Sequence, residues 1–221
     1  MVTGLGVVII GAFIGGIGGF FGGWIDDVIS VLINIFLVMP GLPLMVILAA
    51  WLPSGPSTMI GVLVATGWAW NARVLRSKVL SIRKTDFVNA AIVSGEPTVS
   101  VLFREILPNM LSLLMTSLIG ATVYAIGAQV GLEFIGLGDP STVTWGTNLY
   151  WARNDSALLM GAWWTFIPAG LAIALVGFGL TLLNFGIDEV TNPQLRSERE
   201  WRKMVGKHIG NGPETVVMPD A

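Results

Sequence analysis

The 221-residue sequence contains no cysteine and a single histidine, His208. Without cysteine there is no disulfide, no thiol nucleophile, no cysteine-ligated zinc and no iron–sulfur cluster, and the redox compartment is left open. Charge is scarce as well: 12 Lys plus Arg and 14 Asp plus Glu make up 12% of the chain, against roughly a quarter in soluble domains. With 53% hydrophobic residues and a mean hydropathy of +0.75, the chain cannot clothe a water-facing surface of its own. That excludes an ordinary globular enzyme and makes the bilayer its solvent. A net charge of -2 gives no support for nucleic-acid binding. There is no Gly-x-x-x-x-Gly-Lys-Ser/Thr phosphate cradle, the nearest fragment being Gly206-Lys207-His208, and no His-Glu-x-x-His pair. The chain itself is therefore expected to bind no ATP, metal or other cofactor and to hold no catalytic residue.

The charges that are present are segregated. Residues 1–25, 28–72, 106–132 and 156–187 are free of charge, in runs of 25, 45, 27 and 32 residues. One span needs about 20 residues, and a charge at its centre costs roughly 2.5–3.5 kcal/mol on insertion scales. The 45-residue run is interrupted by Pro53-Ser54-Gly55-Pro56-Ser57, so it holds two spans. The reading is an all-α integral membrane protein with about five transmembrane helices, at 2–24, 28–51, 57–75, 108–130 and 158–187. Residues 1–190 form the membrane domain and 191–221 a cytoplasmic tail, free or resting on the anionic inner leaflet.

Orientation follows from Lys and Arg, which cytoplasmic loops retain. Arg73, Arg76, Lys78, Arg83, Lys84 and Arg104 stand against Asp86, Glu96 and Glu105, and residues 196–207 add five more basic side chains. Both regions are expected to be cytoplasmic, whereas the segment 131–156, with Glu133, Asp139 and Asp155 against Arg153, faces outside. Counting crossings back puts Met1 outside without a charged flank, so the expectation is an amino-terminally incomplete chain.

Several features can carry function. Gly11, Gly15, Gly18 and Gly22 recur at steps of four, three and four, giving a bare helical face for a sliding neighbour or for a static small-residue contact. Pro40 and Pro43, in Met39-Pro40-Gly41-Leu42-Pro43, should kink or break the second span; such breaks line transport pathways and also occur in structural helices. Asn34 and Asn71 are polar candidates for that pathway or for interhelical hydrogen bonds. Trp24, Trp51, Trp145, Tyr150, Trp151, Trp163 and Trp164 cluster near span ends as an interfacial belt, with ligand stacking by Trp145 or Trp151 as the alternative. No span holds an ionisable residue near its centre, which weighs against ion-coupled transport.

The loop 85–107 reads as a short helix, a stop and a second helix. Asp86 can cap the first, Ala90 and Ala91 permit close approach, Gly95 can end it, and Pro97 suits the first turn of the next. Phe87 and Ile92 are apolar anchors. The helix is either a knob for a groove in another protein or an amphipathic helix on the membrane surface.

Asn89-Ala90-Ala91, Gly95 and Ile106-Leu107-Pro108 resemble the loop of permease subunits of bacterial and archaeal ATP-binding cassette importers, whose pattern is Glu-Ala-Ala, three residues, Gly, a spacer and Ile-Leu-Pro. Phe134-Ile135-Gly136-Leu137-Gly138, Trp145-Gly146, Gly161-Ala162-Trp163-Trp164 and Asn192-Pro193-Gln194-Leu195-Arg196 resemble the second-type permease of the oligopeptide and dipeptide branch. The resemblance covers nearly the whole chain; Asn89 departs from the usual Glu, and an amino-terminal helix and outer segment of the family are missing. It implies a type I importer bundle, with six helices in a complete member, in the prokaryotic cytoplasmic (inner) membrane. It also implies a coupling helix through which Phe87, Asn89, Ala90, Ala91, Gly95, Glu96, Ile106, Leu107 and Pro108 engage an ATPase. The implied partners are a homologous second permease, two ATPase subunits holding ATP and Mg, and an extracytoplasmic binding protein meeting Phe134, Gly136, Gly138, Trp145, Gly146 and Trp151. The pathway is placed at Asn34, Met39, Pro40, Pro43 and Asn71. Di- or oligopeptides are the implied cargo, with oligosaccharides or nickel chelates as variants of the same branch; a self-sufficient channel or carrier, or a membrane scaffold, is the alternative of another class.

Overall fold

The structure, a computed structural model, describes residues 1–191. The expected tail, His208 and Asn192-Pro193-Gln194-Leu195-Arg196 lie outside the described residues. The helices are α1 (Val2–Phe21), α2 (Gly23–Val38), α3 (Gly41–Trp51), α4 (Pro56–Ile82), α5 (Asp86–Val93), α6 (Leu111–Phe134), α7 (Trp145–Asn154) and α8 (Ile167–Thr191). Among the described residues there is no strand. A π-helical run, Val101–Ile106, joins α5 to α6.

By length and apolarity α1, α6 and the stretch Trp163–Ile187 can cross a membrane, and α2 with α3 forms a fourth unit bent by 85°. The expected third span, in α4, is not in this set; the helix runs on to Ile82 and carries Arg73, Arg76 and Lys78 in its second half. Ten of its residues are buried, so protein rather than lipid surrounds much of it. The last span begins later than residue 158. Positive φ at Ser156 (54°) and Gly161 (69°) turns the chain first, and Pro168 then sits in the opening turn of α8, where no backbone donor is required.

The break in the second span lies between Val38 and Gly41. Met39 and Pro40 are extended (ψ 134° and 110°), and the Pro40 carbonyl accepts the first bond of α3, from the Leu44 N–H at 3.2 Å. Pro43 does not kink anything: it occupies the first turn of α3, whose N–H groups have no helical partner anyway.

α1 packs on α4 backbone to backbone. A Cβ on Gly11 would lie 2.8 Å from Asn71 Cβ, one on Gly15 would strike the Ala72 carbonyl oxygen, and one on Gly19 would lie 2.7 Å from the Arg76 carbonyl oxygen. The seam is thus Gly11, Gly15 and Gly19. Gly18 faces Ile29 of α2, and Gly22 ends α1 with φ 69° beside the Arg83 guanidinium. The seam departs from the expected stripe because Gly18 is covered by α2 while Gly19 meets α4, so that the contact line advances about 40° around α1 at each step of four. Beneath α5, a core of Phe20, Leu75, Val79, Ile82, Val101, Ile106 and Met110 receives Val88. A second core, near the opposite end of α6, joins Met45, Ala49, Met59, Val62, Leu63 and Leu132.

Candidate functional site

The loop after α4 folds as a capped helix held by one side. Thr85, not Asp86, is its N-cap; the Thr85 hydroxyl donates to the Ile82 carbonyl at 2.6 Å, and Asp86 sits in the first turn, where a carboxylate suits the helix dipole. At the other end Gly95 has φ 82°. Its N–H donates to the Ile92 carbonyl (3.0 Å) and the Glu96 N–H to the Ala91 carbonyl (3.2 Å), the paired bonds of a Schellman stop. Pro97 stands just before the next turn, its carbonyl accepting from the Val101 N–H.

The anchor of α5 is Val88, fully buried, with Ala91 packed beside it. Phe87, Asn89, Ala90, Ile92, Val93 and Gly95 are exposed, and Glu96 is half-buried. Phe87 and Ile92, expected as apolar anchors for a partner groove or the membrane surface, point away from the core with 43% and 50% exposure. Valine at position 88 was the missed residue; it lies three before Ala91, the spacing of one helix face. Ile106 is buried in the same core, Leu107 half-buried and Pro108 exposed. The π turn ends where the Leu107 N–H reaches back five residues to the Leu102 carbonyl.

A second feature is a cavity of about 640 Å³ at the break between α2 and α3, walled by α4, α6 and α8. Met39 and Asn71 line it, with Gly41, Thr66, Ser117 and Tyr124. Asn184 contributes a buried carbonyl oxygen without a hydrogen-bond partner. No charged side chain lines it among the described residues. The other residues expected there lie elsewhere: Asn34 is exposed and accepts from Arg73, and Pro40 and Pro43 are exposed outside the lining.

The third feature lies at the far end of α6, a helix of 24 residues and so about 36 Å from the α5 side at 1.5 Å per residue. Thr144 and Thr147 form a capping box that starts α7: the Thr147 N–H donates to Thr144 Oγ1 (3.0 Å) and the Thr144 N–H to Thr147 Oγ1 (2.9 Å). Gly136, with φ 94°, turns the chain against Tyr150. Gly138 and Gly146 leave room for Glu133: a Cβ on Gly138 would lie 2.7 Å from Glu133 Cγ, and one on Gly146 would strike the carboxylate. The Trp151 indole N–H donates to the Pro140 carbonyl at 3.2 Å. Arg153 stacks over the Phe134 ring, 5.5 Å from its centroid. The Ser141 hydroxyl and N–H, at 2.6 and 2.9 Å, hold the Asp139 carboxyl below its ordinary range. Glu133, read from sequence as a loop charge, is instead buried in the last helical turn; its spacing of four from Gln129 was the available signal.

Residues 8–195 match the family described as binding-protein-dependent transport system inner membrane component. The chain is 31% identical over 190 residues to the oligopeptide transport system permease protein OppC of Bacillus subtilis, covering 86% of this chain and 61% of that one. It is 29% identical over 191 residues to the dipeptide transport system permease protein DppC of the same organism, covering 85% and 58%. With a putative peptide transport system permease protein of Brucella abortus it shares 30% identity over 199 residues, covering 88% and 66%. The chain thus spans less than two thirds of the length of each of these relatives.

Proposed function

The chain belongs to the family of inner membrane components of binding-protein-dependent transport systems, and from that premise we propose that it is the permease subunit of an ATP-driven importer of di- and oligopeptides. Membership makes it a multi-pass membrane component that works with other subunits of a transport system. The observation that carries the finer reading is the exposed rim of α5: a helix of eight residues, stopped by Gly95 and pinned from one side by Val88, that leaves Asn89, Ala90, Ile92 and Val93 free. Such a helix offers small and apolar side chains to a groove in a partner.

In this reading the α5 side is cytoplasmic and docks into one of two ATPase subunits, which hold ATP and Mg and carry the hydrolysis. The carboxy-terminal tail lies on the same side. The cavity at the 85° bend forms half of the pathway, with a homologous second permease supplying the other half, and the loops from Phe134 to Trp151 receive a substrate-loaded binding protein outside. The uncharged lining suits a cargo held through its peptide groups rather than an ion coupled to a gradient. Switching requires contacts that differ between two states of the bundle, and a docked α5 transmits that difference. Peptides are preferred over oligosaccharides or nickel chelates because the relatives named above are named for peptide transport.

Purification of the tagged chain from native membranes should bring down an ATPase and a sister permease, with peptide uptake dependent on ATP. A chain that purifies alone and transports along an ion gradient without ATP would overturn the proposal.

A further inference from the structure

Glu133 is 5% exposed and stands in the last turn of α6. Two things make a carboxylate costly there. Burial strips water from the charge, and the carbonyl end of a helix carries partial negative charge that repels it. The compensation on hand is neutral: Gln129 Nε2 donates to Oε1 at 2.8 Å and the Thr144 hydroxyl to Oε2 at 2.6 Å. A carboxylate offers about four acceptor positions, so half remain. No cation within the described residues pairs with it; the ion pair found there is Asp26 with Arg76, and Arg153 is engaged with Phe134.

The carboxylate borders a cavity of about 430 Å³. Gln129 and Asn148 line it with amide groups and Trp145 with an indole, while Ile126, Val130 and Val143 are apolar. The rim is open, Val143 being 89% exposed and Trp145 38%. A buried unpaired carboxylate with an aromatic face beside it is complementary to an ammonium group. A single carboxylate is a poor cage for a divalent metal, which takes several oxygen ligands and most often more than one carboxylate, and the volume is that of a small organic molecule.

We propose that this cavity binds the free ammonium terminus of a peptide with a small apolar first side chain, at the end of the bundle opposite α5. The inference rests on the peptide-import reading and adds to it the group by which the permease recognises its cargo. Glu133 supplies the countercharge, Trp145 the face over the ammonium, and Ile126 and Val130 the seat for the side chain.

The test uses the full chain purified with its associated subunits and two radiolabelled probes, trialanine and N-acetyl-trialanine, which share the peptide body and differ at the amino terminus, a charged ammonium against a neutral acetamide. Trialanine should bind about tenfold or more tighter than its acetylated form, the scale of one charge-assisted contact. Glu133→Gln, which keeps the shape and an acceptor for Thr144, should abolish that preference. Asn148→Asp, on the exposed rim, should increase it. Equal binding of both probes, unchanged in Glu133→Gln and Asn148→Asp, overturns the ammonium site and leaves the peptide-import reading standing. Retention of neither probe by the complex overturns the peptide reading and the site together.

Discussion

Arg76 of α4 meets Asp26 of α2 with two nitrogens on two oxygens, Nε on Oδ1 and Nη2 on Oδ2, the latter at 2.6 Å. This fork ties the start of the bent α2–α3 unit to the helix that α1 embraces. The pairing fixes α2 at the height of the basic rim, beside Arg83 and the Gly22 turn.

Loss of one partner leaves the other partly desolvated. Asp26→Ala and Arg76→Ala are each expected to lower stability by about 1.5–3 kcal/mol, the range for hydrogen bonds to charged groups. The double variant should lose less than the sum. Thermal unfolding of the detergent-solubilised chain measures the cycle, and strict additivity would show that the pair contributes nothing.

Gly15 and Gly16 are adjacent and differ in surroundings: a Cβ on Gly15 strikes the Ala72 carbonyl, while one on Gly16 meets nothing within 4 Å. Gly15→Val should cost about 1–3 kcal/mol or more through overpacking, whereas Gly16→Ala should stabilise by up to about 1 kcal/mol through helix propensity. Comparable melting temperatures for the two variants would refute the seam.

Gly95 also has open space around it, so substitution there tests the backbone alone. With φ at 82°, valine costs about 1–2 kcal/mol of local conformation, while asparagine is tolerated. Gly95→Val should reduce ATP-dependent uptake at normal membrane abundance, and Gly95→Asn should retain it. Equal uptake by the two variants separates the α5 stop from coupling.

The Thr144–Thr147 box starts α7. Thr147→Ala removes the bonds to the Thr144 N–H and the Thr142 carbonyl and should cost about 1 kcal/mol. Faster limited proteolysis between Gly138 and Trp151 in the variant is the expected outcome; an unchanged cleavage rate counts against it.

Much of this architecture is legible in residue order, for identifiable reasons. Charge-free runs mark α1, the α2–α3 unit, α6 and α8 because lipid tolerates few charges, and Gly95 marks the α5 stop because a left-handed position favours glycine. What escapes local reading depends on which face a neighbour covers. Val88 fastens α5 to the core while Phe87 stays exposed, Gly19 rather than Gly18 completes the seam, and Thr85 rather than Asp86 occupies the cap. α4 defeats the apolarity rule, since contact with α1 shelters Asn71 and Ala72 from lipid. Glu133 is legible as a charge; its burial arises from Gly138 and Gly146, five and thirteen positions further along.

The glycine seam has a mechanical corollary. Because peptide groups of α4 fill the spaces where side chains of α1 would stand, neither rod can roll about its long axis without collision. The two should move together, while the extended Met39–Pro40 joint, where no helical hydrogen bond spans the corner, leaves α2 and α3 free to change their angle.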